Sequence, residues 1–232
     1  MKKQLSALLT LTVLASTPVM AQDINIKLTN LTNGLYFTPL LVAAHDVNTH
    51  LFMEGSSASV NLQKMAEGGD IRGLLSDLQV VSGDVVENPA AGQLDPGESV
   101  NFNMMTNDSN THLSLTAMLL PTNDGFVGID SLELPTSAGT YTYYLNAYDA
   151  GTEANNEVIN GGDGQGVLGI PADPGGNAGT GGTGLPATEN NMTVHIHRGN
   201  LGDDNASGGE SDLNNTVHRW LNPVAKLVIT VN

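Results

Sequence analysis

Apolar and polar residues alternate with period two in several short segments, separated by intervals rich in glycine, proline, asparagine and aspartate. From Asp23 to Leu28, Ile24, Ile26 and Leu28 share one face while Asn25 and Lys27 share the other. This describes a half-buried strand, ended by Asn30 and an Asn33-Gly34 turn. Leu35 to Ala44 is more continuously apolar, as in a strand buried on both faces or an irregular inner segment. Gln79–Val86 predicts a short strand, and Ser99–Met105 another after the Leu94-Asp-Pro-Gly-Glu98 turn. Leu113–Leu120, closed by Pro121, then Phe126–Leu134 and Tyr141–Tyr148 predict an up-down-up meander. Met192, Val194 and Ile196 alternate with Thr193, His195 and His197, placing the histidines on the far face of a strand. The last strand is Ala225–Val231.

Helical periodicity is confined to Ser56–Leu78. Ser59 is placed to cap a helix over Val60–Glu67 that ends at Gly68-Gly69. Asp70 would cap a second, with Ile71, Leu74, Leu75 and Leu78 at helical spacing. Helices here should lie over one edge or end of a sheet. Many short strands joined by turns, with one or two short helices, predict an all-β fold, an antiparallel β-sandwich. One stretch resists any element. In Gly161–Gly184, 11 of 24 residues are glycine, too few apolar groups to offset the entropy of ordering, which predicts a long flexible loop. Its Gly161-Gly-Asp-Gly-Gln-Gly166 resembles nonapeptide calcium repeats, but no second copy follows at that period.

The first residues change the address. Met-Lys-Lys, an apolar run from Leu5 to Val13 and Val19-Met20-Ala21 have the parts of a cleaved secretory signal. Cleavage after Ala21 leaves residues 22–232 as one domain, secreted or periplasmic. Lys2 and Lys3 depart with the signal, taking the formal charge from −16 to −18. That balance argues against nucleic acid and against docking on anionic lipid. Cysteine is absent, so neither a disulfide framework nor thiol chemistry is available.

The candidate chemistry sits at the ends of the meander. Asp124-Gly-Phe-Val-Gly128 and Tyr148-Asp-Ala-Gly-Thr-Glu153 each place acids in a glycine-containing turn. The first and third strands of a meander finish near one end, so Asp124, Asp149 and Glu153 should meet on one rim. Three carboxylates with carbonyls exposed by glycine turns suit a hard divalent cation, calcium above all. Asp130 is a candidate to support the metal ligands from behind, but the favoured expectation is a solvent-facing residue that caps a turn. His195 and His197, with His218, are an alternative copper or zinc set. The sequence contains no G-x-S-x-G elbow, no H-E-x-x-H and no phosphate loop ending in Lys-Ser/Thr. The chain is read as a non-enzyme.

Pro121-Thr-Asn-Asp-Gly-Phe-Val-Gly-Ile-Asp-Ser-Leu132, Ala147-Tyr-Asp-Ala-Gly-Thr-Glu153 and the run from His218 resemble the spondin domain, found in F-spondin and in stand-alone bacterial proteins. The resemblance extends over roughly Asp23–Asn232. It implies a sandwich similar to calcium-dependent phospholipid-binding modules, with calcium held at one end by Asp124, Asp149 and Glu153. The animal modules carry aspartate at the position of Glu153, and cysteines that this chain lacks. The function it implies is a secreted adhesion or matrix-type module that recognises a protein or glycan through a calcium-rigidified rim. The alternatives are a calcium-dependent peripheral membrane binder and the histidine-based metal carrier.

Overall fold

The computed structural model describes residues 21–162, 164–176, 178–186 and 190–232. All but Ala21 of the expected signal therefore lies outside the described residues. Ten strands and two helices follow one another as β1 (Asp23–Asn30), β2 (Tyr36–Phe37), β3 (Leu41–His45), α1 (Val60–Gly68), α2 (Arg72–Val80), β4 (Asp84–Glu87), β5 (Ser99–Met105), β6 (His112–Leu120), β7 (Gly125–Glu133), β8 (Gly139–Asp149), β9 (His195–Ile196) and β10 (Ala225–Val231). All pairings between these strands are antiparallel. The order is β4-β3-β6-β7-β8-β10-β1-β5, with β2 on β6 and β9 on β8.

The long strand β8 turns this path into two layers. Its first part, Gly139–Leu145, pairs with β10. Its last part, Asn146–Asp149, pairs with β7. One layer is thus β8-β10-β1-β5 and the other β4-β3-β6-β7-β8. The main core lies between them: Ile24, Ile26 and Leu28 of β1 and Leu227, Ile229 and Val231 of β10 meet Val42, Leu113, Leu115, Ala117 and Val127. The predicted alternation of β1 and β10 is the observed burial pattern, and the meander is β6-β7-β8.

The helices cover the outer face of the second layer rather than an edge or end. Leu62, Met65 and Ala66 of α1, with Leu74 and Leu78 of α2, pack on Leu41, Ala43, Met118 and Leu120. A sheet covered on both faces needs no polar side, which is why β3 is buried throughout and β6 nearly so. Ser59 caps α1 by accepting the Leu62 N–H at 3.0 Å. Gly69 closes it in the left-handed conformation at φ 70°.

Three local expectations are corrected. The expected strand over Gln79–Val86 starts later, because α2 runs on to Val80 and β4 begins at Asp84. Asp70 is not the N-cap of α2; Ile71 is, although Asp70 still accepts the Arg72 N–H at 3.0 Å. The strand around the histidines shrinks to His195–Ile196, and its alternation fails. Val194 and His197 are buried while Met192 and Ile196 are exposed, since β9 meets only Tyr148 and Asp149 at the margin of the layer.

Asp130 does not face solvent. The β6–β7 ladder jumps between Leu113 and Leu115, and a bulge at Asp130-Ser131 re-aims the carboxylate inward. It accepts the Leu51 N–H at 2.7 Å and the Ser114 hydroxyl at 3.2 Å, and pairs with His50 at 2.6 Å. Asp130 ties the segment before α1 to the sheet.

Candidate functional site: a buried acidic rim

The rim begins where β6 ends. After Leu120-Pro121, the Thr122 hydroxyl donates to the Leu119 carbonyl at 2.6 Å and accepts the Gly125 N–H at 3.0 Å. A Cβ on Gly125 would meet that hydroxyl at 2.7 Å, so the tight reversal requires glycine. Gly125 lies opposite Asp149 in the β7–β8 ladder, which brings Asp124 and Asp149 side by side. Beneath them, Phe126 and Tyr148 stack at 5.6 Å and Phe52 closes the aromatic cluster at 5.0 and 4.8 Å. Both ladder ends thus stand on a rigid apolar floor.

The chain then turns back over Asp124. Gly151 adopts φ 69°, and a Cβ there would meet the Thr193 N at 2.6 Å; only glycine fits. The turn aims the Thr152 and Glu153 N–H groups at Asp124 Oδ2, at 2.8 and 3.0 Å. Asp149 Oδ1 accepts the Gly151 N–H at 2.8 Å and Oδ2 accepts Asn155 Nδ2 at 2.7 Å. Glu153 Oε2 accepts the Gly169 N–H at 2.9 Å and Asn123 Nδ2 at 3.3 Å. All three predicted acids are therefore on one rim, and all are buried.

Their charge is incompletely met. Asp124 Oδ1 and Glu153 Oε1 are buried without a hydrogen-bond partner. Burial, then the neighbouring Asp149 charge, pushes the Asp124 carboxyl up to about 7 against the pull of its backbone donors. Burial likewise raises Glu153 to about 7, with the Glu67 charge adding to it and the Gly169 and Asn123 donors opposing. Among the described residues, no group of three or more histidine, aspartate or glutamate side chains is arranged to hold a metal ion.

The family model described as Spondin_N matches residues 29–158, more than half of the chain, including all three rim acids. The chain belongs to the spondin N-terminal domain family. A comparison with curated proteins finds no match. Spondin domains are non-catalytic extracellular modules, so membership carries the general function of extracellular recognition. The matched part of the spondin domain ends ahead of the glycine-rich stretch, β9 and β10. No helix among the described residues is long and apolar enough to cross a membrane.

At the end of the match and beyond it, the spondin domain builds its loops on inward-facing acids, Glu157 within the matched residues and Asp212 outside them. Glu157, 2% exposed, accepts the Leu201 and Gly202 N–H groups and the Ser211 hydroxyl at 2.6–2.8 Å. Asp212 accepts the N–H groups of Ile159, Thr180 and Gly182 at 2.7–2.8 Å, and these donors hold its carboxyl below the ordinary value although burial works the other way. The glycine-rich stretch is attached in the same way, through Gly166 to Glu67 and Gly169 to Glu153. Part of the acidity is therefore internal structure rather than solubility.

Glu67 escaped the sequence reading. It closes α1, is 1% exposed, and accepts Gln63 Nε2 at 2.7 Å and the Gly166 N–H at 2.6 Å. A glutamate at a helix end gives no sign of burial in sequence, since the loop that covers it comes about 100 residues later.

The geometry speaks against the copper or zinc set. His197 Nδ1 accepts the Gly199 N–H at 2.9 Å and His218 Nδ1 accepts the Asn214 N–H at 3.0 Å. In the neutral ring each proton then sits on Nε2, leaving neither nitrogen a lone pair for a metal. His197 lies against Trp220 at 5.0 Å, His218 faces Asp173 at 3.6 Å and His195 faces Asp149 at 3.9 Å.

Proposed function

We propose that this spondin domain is a calcium-stabilised adhesion or matrix-type module acting outside the cytoplasm on a protein or glycan ligand. Asp124, Asp149 and Glu153 would hold the ion, turning their oxygens toward it on binding, since the three side chains do not converge on one point without it. The observation that carries this is the state of Asp124: fully buried, next to a second buried carboxylate, with one oxygen lacking any partner. Burying an ionised carboxylate without compensation costs several kcal/mol, on the order of what a cation at the rim would recover. An all-oxygen donor set favours calcium, completed by backbone carbonyls and water, since calcium takes about six to eight oxygens. Bound calcium would neutralise the rim and fix the 149–153 and 164–169 segments against each other, giving a ligand a preformed surface.

Thermal unfolding in excess chelator, in calcium and in magnesium tests this on wild type and on Asp149→Ala/Glu153→Ala. The expected result is a calcium-specific rise in Tm that the variant loses. With a Kd of ~10⁻⁴ M and calcium at about 100 times that, the stabilisation is about 2.7 kcal/mol. Coincident wild-type curves in chelator and calcium would refute the reading.

A membrane reading has one observation in its favour. Leu168, 70% exposed, adjoins the Gly169 that contacts Glu153. Calcium-dependent pelleting with phosphatidylserine liposomes would support it over a protein or glycan ligand.

A further inference from the structure

Two of the three rim acids adjoin each other, and the third, Glu153, lies near a fourth buried acid, Glu67 of α1. Asp124 and Asp149 adjoin across the β7–β8 ladder. The Glu153 side chain instead reaches the glycine-rich stretch, where its Oε2 accepts the Gly169 N–H. Three residues earlier on the same stretch, Gly166 donates to Glu67 Oε2 from α1. Three residues of chain span at most about 10 Å even when extended, so both carboxylates lie under one short run of backbone.

The enclosure is close to complete. Glu67 is 1% exposed and Glu153 6%. Glu153 Oε1 has no partner. Among the described residues, each Glu67 oxygen accepts one hydrogen bond, from Gln63 Nε2 or the Gly166 N–H, so lone pairs remain on both. The Glu67 charge is also the one that adds to the effect of burial on Glu153. Two carboxylates confined in this way need a shared counter-charge.

We propose that the rim takes two calcium ions rather than one, the second held between Glu67 and Glu153 beneath Gly166–Gly169, with the Glu153 carboxylate shared between the two ions. The donors there are oxygens, which excludes soft metals. The enclosure disfavours magnesium, which keeps several of its waters. Such an ion would join helix α1, the glycine-rich stretch and the 149–153 turn at one point. This rests on the calcium reading of the rim, extended by a residue outside its loops.

Calcium titration calorimetry on the chelator-stripped protein at neutral pH decides it, with Glu67→Gln and Asp149→Asn compared to wild type. Two ions per chain are expected in wild type, and one in each variant. One ion in wild type, unchanged in Glu67→Gln, would overturn the second site and leave the first standing. No ion in wild type would overturn both, and two ions retained in Glu67→Gln would overturn the assignment of Glu67. The glutamine can still accept from Gly166, and a cooperative melt in chelator establishes that this variant is folded. Glu67→Asp provides a second check, since it keeps the charge but withdraws it by one methylene and should weaken only one of the two ions.

Discussion

Acidification should draw stability from this domain at its buried histidines, most strongly at His197. The imidazole is 3% exposed and packed on Trp220, with Nδ1 accepting from Gly199. Burial, then the nearby Arg198 and His195 charges, lowers its pKa from the ordinary 6.5 to about 3. The sign follows from proton counting. Between those two values the unfolded chain binds a proton that the folded chain refuses, so stability is full above 6.5 and falls as pH drops. Taking the folded ring as neutral throughout, the loss between pH 7 and pH 5 is about 1.9 kcal/mol, at a limiting slope of about 1.4 kcal/mol per pH unit. Asp124 and Glu153, raised to about 7, work in the opposite sense when no cation is bound, adding stability as pH falls toward their ordinary values. A single pH profile therefore mixes the two effects. Urea unfolding at pH 7, 6 and 5 in chelator, for wild type and His197→Asn, separates them, because the carboxylates are common to both proteins. Asparagine keeps an acceptor near the Nδ1 position but cannot titrate. The variant should lack about 1.9 kcal/mol of the wild-type acid loss over this range, whatever its absolute stability. Parallel profiles would refute a buried neutral His197.

Two further outcomes follow from the packing. Phe126→Ala removes one of three mutually packed rings and should cost about 3–5 kcal/mol in urea unfolding; a loss under about 1 kcal/mol would show that the aromatic cluster does not support the rim. Asp130→Ala takes away the acceptor for the Leu51 and Phe52 N–H groups. Limited proteolysis should then cut between residues 46 and 55 several-fold faster than in wild type, and unchanged cleavage would mean that the bulge does not anchor this segment.

The elements that were legible in the sequence are those whose partners share their periodicity. β1 and β10 alternate because each has one face on the core, and the β6-β7-β8 meander shows in its apolar runs and glycine turns. The same turns located Asp124, Asp149 and Glu153 on one rim, since consecutive antiparallel strands return to the same end. The buried state of those acids was not legible, because it depends on Gly169 and Asn123 closing over them. Glu67, Glu157 and Asp212 were missed for the same reason: each is enclosed by backbone N–H groups far away in sequence, and an acid in a polar stretch looks solvated until its donors are known. His197 was placed on a strand face by alternation, but β9 is too short to impose one. The end of α2 was misplaced because Gln79-Val80-Val81 suits a strand as well as a helix, and the change of direction comes only at Ser82, with φ 59°.

The position of β10 bears on the order in which the two layers are completed. The strand nearest the end of the chain lies between β8 and β1, so the layer it belongs to has a gap at its centre until those last residues arrive. Before then β1 and β8 have no common partner, and the inner faces of Ile24, Ile26 and Leu28 lack the Leu227, Ile229 and Val231 they pack against. Closure is thus a late, long-range event, slow compared with forming local hairpins. The first layer therefore stays open along the seam between β8 and β1 until β10 is in place, and the two-layer fold is completed by its last strand.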